Sequence, residues 1–332
     1  MVLVRRASGA AAGNAEPGAG GTSSISLKVG VGLPQLKSFD PVTAVTRAAR
    51  AIGFDSVWVF ERLLLPEDQS GEPGLYGMPG VPWPQRYGGI LDPLVALTLA
   101  AAATDRVELG TCVLVAPLHV PVRLARTPAS IDAASGGRLV AGLGTGWSID
   151  EFAAVAPRPF AERGAALDEF LDIAAAVWGA DPVSLRNERY EIAPTEVGPK
   201  PARRIPVYVG GHSDVALRRA ARRADGWLPT GLPPAAVGGV LTRLRQMTAD
   251  AGRDPSAMGC TFQVGVSSTD EVPSQGRKPY TGSVEQIVGD IARLAEAGVD
   301  HVFVTVANVA RDMDEYVDVA ADFHARIRAA GL

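Results

Sequence analysis

IPVYVGGHSDVALRRAARRADGWLP, residues 205–229, holds one complete structural repeat. The apolar run 205–209 reads as a buried strand that ends at Gly210 and Gly211. Ser213 then stands at the N-cap of a helix over 214–223, and 225–229 is the next strand. Strand, helix and strand in so short a stretch is a β–α unit, and the same rhythm continues outward in both directions. Upstream, strands are expected at 27–33, 55–60, 106–115 and 138–143, with helices at 41–52, 93–103, 122–134 and 160–178. Asp40 and Asp92 read as N-caps, Gly53 as a C-terminal stop, and Pro93 and Pro121 as helix openers. Downstream, the 233–251 helix, the 259–267 strand, the 284–297 helix, the 301–306 strand and the 313–330 helix complete the series. Alternation on this scale implies a parallel sheet with right-handed crossovers. A doubly wound open sheet is the alternative, but eight units favour closure into a (β/α)8 TIM barrel.

The chain has 332 residues, a length that one barrel with loop insertions accommodates. A hydrophobic share of 47% and a charged share of 20% argue against wholesale disorder. The net charge of −4 gives no electrostatic case for nucleic acid or an anionic membrane. Cys112 and Cys260 form no CxxC, and His119, His212, His301 and His324 form no HExxH, so no metal site is expected. The most apolar stretch, 94–103, is half a membrane span. Residues 1–26 are rich in Gly, Ala and Ser and lack an apolar signal core, so they read as a disordered extension before a barrel domain over 27–332. A soluble, cytoplasmic protein is the expectation.

In a TIM barrel, chemistry sits where strands end and βα-loops begin. Glu61 and Arg62 end the second strand there. A carboxylate at that place can position a substrate or move a proton, or else form an ion pair with its neighbour or with Arg86. Gly144, Thr145, Gly146 and Trp147 follow the fourth strand in a GxGxG spacing, which is not the dinucleotide GxGxxG. Gly210, Gly211, His212 and Ser213 leave the fifth strand into a helix N-terminus, a geometry that suits a phosphate; an ordinary capped turn is the plain alternative. The arginines beyond it (Arg218, Arg219, Arg222, Arg223) read as a solvated helix face. Cys112 reads as core, and His301 and His324 as structural. Two loops are oversized: 63–91, rich in Pro and aromatic residues and read as a lid or binding wall, and 184–204.

From residue 27 onward the chain resembles the bacterial luciferase-like monooxygenase superfamily, specifically its coenzyme F420-dependent oxidoreductase branch. The resemblance is carried by VGVGLP (29–34), IGFDSVWVFE (52–61), DPLVALTLAAAATDRVELGTCVLVAP (92–117) and ASGGRLVAGLGTGW (134–147). FAERGAALDEF (160–170), the block 198–229, GRDP (252–255) and 281–304 continue it in matching order and spacing. It implies a ring held against a bulge in the third strand, around Thr111, Cys112 and Val113, at a place where relatives often carry a non-prolyl cis peptide. It also implies a phosphate on the 210–213 turn, a ring flanked by Gly144 to Trp147, and Asp150 turned toward the cofactor. His119, in the loop after the bulge, is placed to reach cofactor or substrate.

One departure bears on mechanism. Many such enzymes end the second strand with an acidic residue and a histidine; here the pair is Glu61-Arg62. A guanidinium keeps its proton, so Arg62 is suited to holding an oxyanion or carboxylate rather than to acid–base work. Trp147 stands where sugar-phosphate dehydrogenase relatives carry Glu, which favours an apolar or aromatic-tolerant pocket. The resemblance therefore implies an oxidoreductase that uses F420 to move a hydride between the deazaflavin C5 and an alcohol, a ketone or an activated C=C. Two alternatives stay open: an FMN-dependent monooxygenase using oxygen with a partner reductase, and a non-catalytic flavin- or ligand-binding barrel. A homodimer and a small organic substrate are the expected partners.

Overall fold

The computed structural model describes residues 27–34, 38–69 and 74–332. The extension read over 1–26 lies outside the described residues. Eleven strands are described: β1 (Lys28–Gly32), β2 (Ser56–Val59), β3 (Glu108–Thr111), β4 (Leu114–Val115), β5 (Leu139–Gly144), β6 (Val183–Arg186), β7 (Glu191–Thr195), β8 (Val207–Gly210), β9 (Gly226–Leu228), β10 (Gly259–Gly265) and β11 (His301–Thr305). The helices are α1 (Asp40–Ile52), α2 (Pro93–Ala103), α3 (Pro121–Ser135), α4 (Ile149–Val155), α5 (Arg163–Trp178), α6 (Asp214–Arg223), α7 (Pro234–Asp250), α8 (Val284–Glu296) and α9 (Met313–Ala329). Nine strands form one parallel sheet in the order β3-β2-β1-β11-β10-β9-β8-β5-β4, and a β3–β5 pairing closes it. Because β3 and β4 are two halves of one interrupted stave, both paired to β5, the sheet is an eight-stave barrel, as the alternation implied.

Two layers of apolar packing hold it. Outside the staves, alternate strand residues meet one face of each helix; in α1, Val42, Val45, Thr46 and Ala49 recur at helical spacing and are buried. Inside, Trp58, Val140, Leu228 and Phe303 plug the barrel, with the Trp58 and Phe303 rings stacked at 4.9 Å and 12°. That plug explains a glycine: a Cβ on Gly110 would stand 2.3 Å from Trp58 Cε3.

The structure corrects several details. The third strand breaks after Thr111 and resumes at Leu114. Asp40 is the first helical residue of α1 rather than its cap; the cap position is Phe39, with no side-chain bond. The fourth crossover helix begins at Arg163, after a single 3-10 turn, and α4 before it was not foreseen. The loop expected over 184–204 contains the antiparallel β6–β7 hairpin. Arg219 is not solvated: it pairs with Asp168 at 2.7 Å and is 8% exposed, and Arg223 bonds Asp168 O at 3.1 Å, so both pin α6 to α5. Ser213, Asp92, Pro93, Pro121 and Gly53 take their expected places.

Candidate active site

The C-terminal ends of the staves bring most of the expected residues into one neighbourhood. Pairing between β2 and the third stave runs past both strand ends, through Cys112 N–H to Val59 O (2.7 Å) and Glu61 N–H to Val113 O (3.2 Å). The backbone is still extended here, so successive side chains alternate. Val57 and Val59 belong to the outer core and Trp58 to the inner plug. Glu61 therefore falls on the outward side, and Arg62 on the side of the barrel mouth.

Glu61 is 2% exposed. Its Oε2 accepts from Val115 N–H at 2.6 Å and its Oε1 from His119 Nε2 at 2.7 Å. One carboxylate thus ties the chain beyond the bulge back to β2. Neither the neighbouring Arg62 nor Arg86 is its ion partner; Arg86 donates to Asn308 Oδ1 instead. Burial disfavours the charged form of His119, but the hydrogen bond and charge of Glu61, with a smaller push from Asp92, outweigh it and raise the ring's pKa.

Arg62 is buried beside Glu151, with Nη1 3.1 Å from Glu151 Oε2. Its Nε donates to Glu61 O at 2.7 Å. The guanidinium lies 4.6 Å from the Trp147 ring centre and 5.8 Å from that of Trp83, within cation–π range. Trp83 meets Trp147 edge-on at 4.6 Å, and Tyr76 lies 5.2 Å from Trp147. The described part of the 63–91 loop is thus an aromatic wall folded onto the strand ends. Glu151 is 1% exposed, and its Oε1 accepts from Leu63 N–H at 2.8 Å. Burial raises its carboxyl pKa against the pull of Arg62. Glu151 was not foreseen, although Ser148 and Glu151 show the S-x-x-E spacing of a helix start and Ser148 Oγ does cap α4.

The bulge itself carries a cis peptide at Cys112-Val113. Val113 joins three expected pieces: a Cβ on Gly144 would lie 2.5 Å from its Cγ2, and one on Gly210 3.0 Å from its Cγ1. Both glycine turns therefore press against the bulge. Thr111 Oγ1 bonds both O and N–H of Gly142, locking β3 to β5. Burial pushes the Cys112 thiol up to about 12. Gly146 and Gly211 have φ of 76° and 95°, values glycine adopts without strain. Thr145 is half-buried and His212 exposed. Ser213 caps α6 through Ala216 N–H at 3.3 Å, and the Asp214 carboxylate is turned to Arg243 at 2.9 Å. Asp150 lies in the first turn of α4, where its buried Oδ2 has no hydrogen-bond partner.

His301 starts β11 at the opposite end of the barrel and bonds Ser56 Oγ at 2.7 Å; burial drives its pKa down to about 3. Two cavities of about 510 and 470 Å³ include none of Arg62, Cys112 or the 210–213 turn. Among the described residues, no group of His, Cys, Asp or Glu is placed to hold a metal ion, and no helix is long and apolar enough to cross a membrane.

A closed barrel with polar and aromatic groups gathered at its C-terminal strand ends has the layout of a ligand-binding barrel enzyme. The chain belongs to the luciferase-like monooxygenase family, whose pattern matches residues 14–275. An uncharacterized protein of Mycobacterium tuberculosis is 31% identical over 255 residues, 74% of this chain and 83% of that protein. The F420-dependent glucose-6-phosphate dehydrogenase of Amycolatopsis mediterranei is 30% identical over 210 residues, 61% of this chain and 57% of that enzyme. In fold, the chain is similar to an F420-dependent secondary alcohol dehydrogenase solved with an F420-acetone adduct, with a TM-score of 0.73, 19% identity, and coverage of 91% of this chain and 99% of that one.

Proposed function

We propose that this protein is a coenzyme F420-dependent oxidoreductase that moves a hydride between the deazaflavin C5 and a small organic substrate. The observation that carries the proposal is the interrupted third stave. The Cys112–Val113 bulge lies at the C-terminal end of the barrel, with the glycine turns after β5 and β8 pressed against Val113. The relatives named above add the cofactor class.

The residues present fit such a group. The bulge offers an apolar surface between two turns that present Gly144 and Gly210 to Val113. The 210–213 turn leads into α6, whose N-terminal amides, apart from the Ala216 N–H that Ser213 caps, are the donors a phosphate would use. The buried Asp150 Oδ2, which has no hydrogen-bond partner, is a polar atom that a ligand would satisfy. When bound, the deazaflavin supplies a two-electron hydride donor or acceptor. The protein's part is to orient and to exclude water. Thr111, Cys112 and Val113 back the ring; Gly144, Thr145, Gly146 and Trp147 flank it; Gly210, Gly211, His212 and Ser213 hold the phosphate. Glu61 and His119 keep the bulge in place from behind, and Arg62 faces the reacting centre.

A homodimer belongs to the same proposal. The exposed positions of α2, Val95, Thr98 and Ala102, carry no charged side chain, which suits burial against a second copy.

Titration of the purified protein with F420 and, separately, with FMN, followed by ring fluorescence, tests the cofactor. Tight F420 binding with weak FMN binding is the expected result. Preference for FMN would point to oxygenation with a reductase partner instead, and binding of neither overturns the proposal.

A further inference from the structure

We propose that Gln263 is a ligand-binding residue whose Nε2 hydrogens hold a carbonyl oxygen of the molecule bound against the Cys112–Val113 bulge. This rests on the reading that the C-terminal mouth is the active site, and it adds a recognition group on the wall that faces the bulge.

Period-two alternation places the side chain. Along β10 and just beyond it, Phe262, Val264 and Val266 are fully buried in the outer core, so Gln263 and Gly265 face the lumen. Exposure rises along that inner row: Thr261 is buried, Gln263 half-buried and Gly265 exposed. The neighbouring stave repeats the gradient, with His301 and Phe303 buried and Thr305 half-buried. Phe303 belongs to the plug, and Gln263 is its register partner. The lumen is therefore closed at the plug and opens above it, and Gln263 stands at that floor.

In the closed sheet β10 is the seventh stave, on the far side of the lumen from the third. Its side chain crosses the gap. Gln263 Oε1 lies 3.9 Å from Cys112 Sγ, a sulfur hydrogen-bond distance, and Cys112 itself packs on the plug. Burial holds the Cys112 thiol protonated, so the thiol donates and the amide oxygen faces it. That orientation also sets the amide nitrogen, and Nε2 donates to none of the described residues. A primary amide fixed by its oxygen, with its N–H groups unspent at the foot of the mouth, is a donor for an acceptor atom on a ligand. Gln263, Cys112 and Thr305 are all uncharged, which suits a carbonyl oxygen. Both a cofactor ring and a substrate could supply one.

The test titrates the full chain, without cofactor, with lumichrome, a flat ring that carries the pyrimidinedione carbonyls and no phosphate; ring fluorescence reads binding. The same variants are titrated with F420, and their F420 complexes with cyclohexanone, read by quenching. Gln263→Met keeps the length of the side chain and removes the donors. It should weaken binding about three- to tenfold, the share of one neutral hydrogen bond, at an unchanged melting temperature because Nε2 supports nothing in the protein. Gln263→Glu gives a readout that a structural role would not move. Ionised, its carboxylate repels a carbonyl oxygen and binding should fall further; protonated, it regains an O–H donor, so binding should recover as pH falls while wild type stays flat. Loss with lumichrome and F420 places the oxygen on the cofactor ring, and loss confined to cyclohexanone places it on the substrate. No loss with any of the three ligands in Gln263→Met, or a Gln263→Glu profile as flat as the wild type's for the affected ligand, overturns the inference. Failure of F420 to bind a wild-type protein whose lumichrome binding needs Gln263 overturns the cofactor reading alone; failure of the wild type to bind either ring overturns both.

Discussion

Removing the carboxylate of Glu61 should loosen the bulge in two separable ways. Glu61→Ala strips the acceptor from the buried Val115 N–H, worth about 1–3 kcal/mol, and the charge-assisted bond to His119, worth about 1.5–3 kcal/mol. The combined loss should be about 3–5 kcal/mol, the range seen when one partner of a buried pair is removed. Glu61→Gln keeps an oxygen for Val115 and should cost about half as much. The pH dependence has a defined sign. The folded-state pKa of His119 is raised, so the Glu61–His119 pair contributes fully below the ordinary histidine value of 6.5 and fades as pH rises through the raised value. The gap between wild type and Glu61→Gln should therefore be largest in mildly acidic buffer and shrink in alkaline buffer. Urea unfolding across pH measures both effects. Equal losses in the two variants, or a gap that ignores pH, would refute the two-point clasp.

Other expectations concern the barrel interior. Gly110→Ala should cost about 1–3 kcal/mol or more by urea unfolding, because the new methyl meets a Trp58 ring already stacked on Phe303. His301, with a pKa lowered from 6.5 to about 3 by burial, contributes stability above 6.5 that is lost progressively as pH falls toward 3. His301→Asn should flatten that acid limb in thermal melts taken across pH; an unchanged limb assigns it to other groups. With its thiol pushed up to about 12, Cys112 should react with iodoacetamide in mildly alkaline buffer far more slowly than an unfolded-chain cysteine. Rapid single-site labelling of the folded protein would show that the bulge opens.

The barrel was legible because each stave and helix is an independent local signal, repeated eight times. The β6–β7 hairpin was not. Its alternation is too short to stand out: Val183 and Leu185 alternate with exposed Ser184 and Arg186 over four residues only, and β7 has just the half-buried Ile192 between exposed Glu191 and Ala193. In the site, the glycine turns were visible as residues out of keeping with their elements, whereas the break near Cys112 was implied only by the family resemblance, since 106–115 reads as one strand. The pairings were not visible, because Glu61 meets His119 and Arg62 meets Glu151 across 58 and 89 positions, and only the closed barrel makes them neighbours. Glu151 had a local signal, but it announced a helix start and not an arginine partner. The shape of the 63–91 wall likewise depends on where Arg62 points, which period-two alternation beyond the end of β2 decides.

A structure of the F420 complex tests the proposed site most directly. The ring should lie against Cys112 and Val113, with its phosphate on the 210–213 turn and Arg62 beside the C5 face. Cofactor bound at the opposite mouth, near Lys28, Tyr208 and His301, or bound with its phosphate away from Gly210, would contradict it.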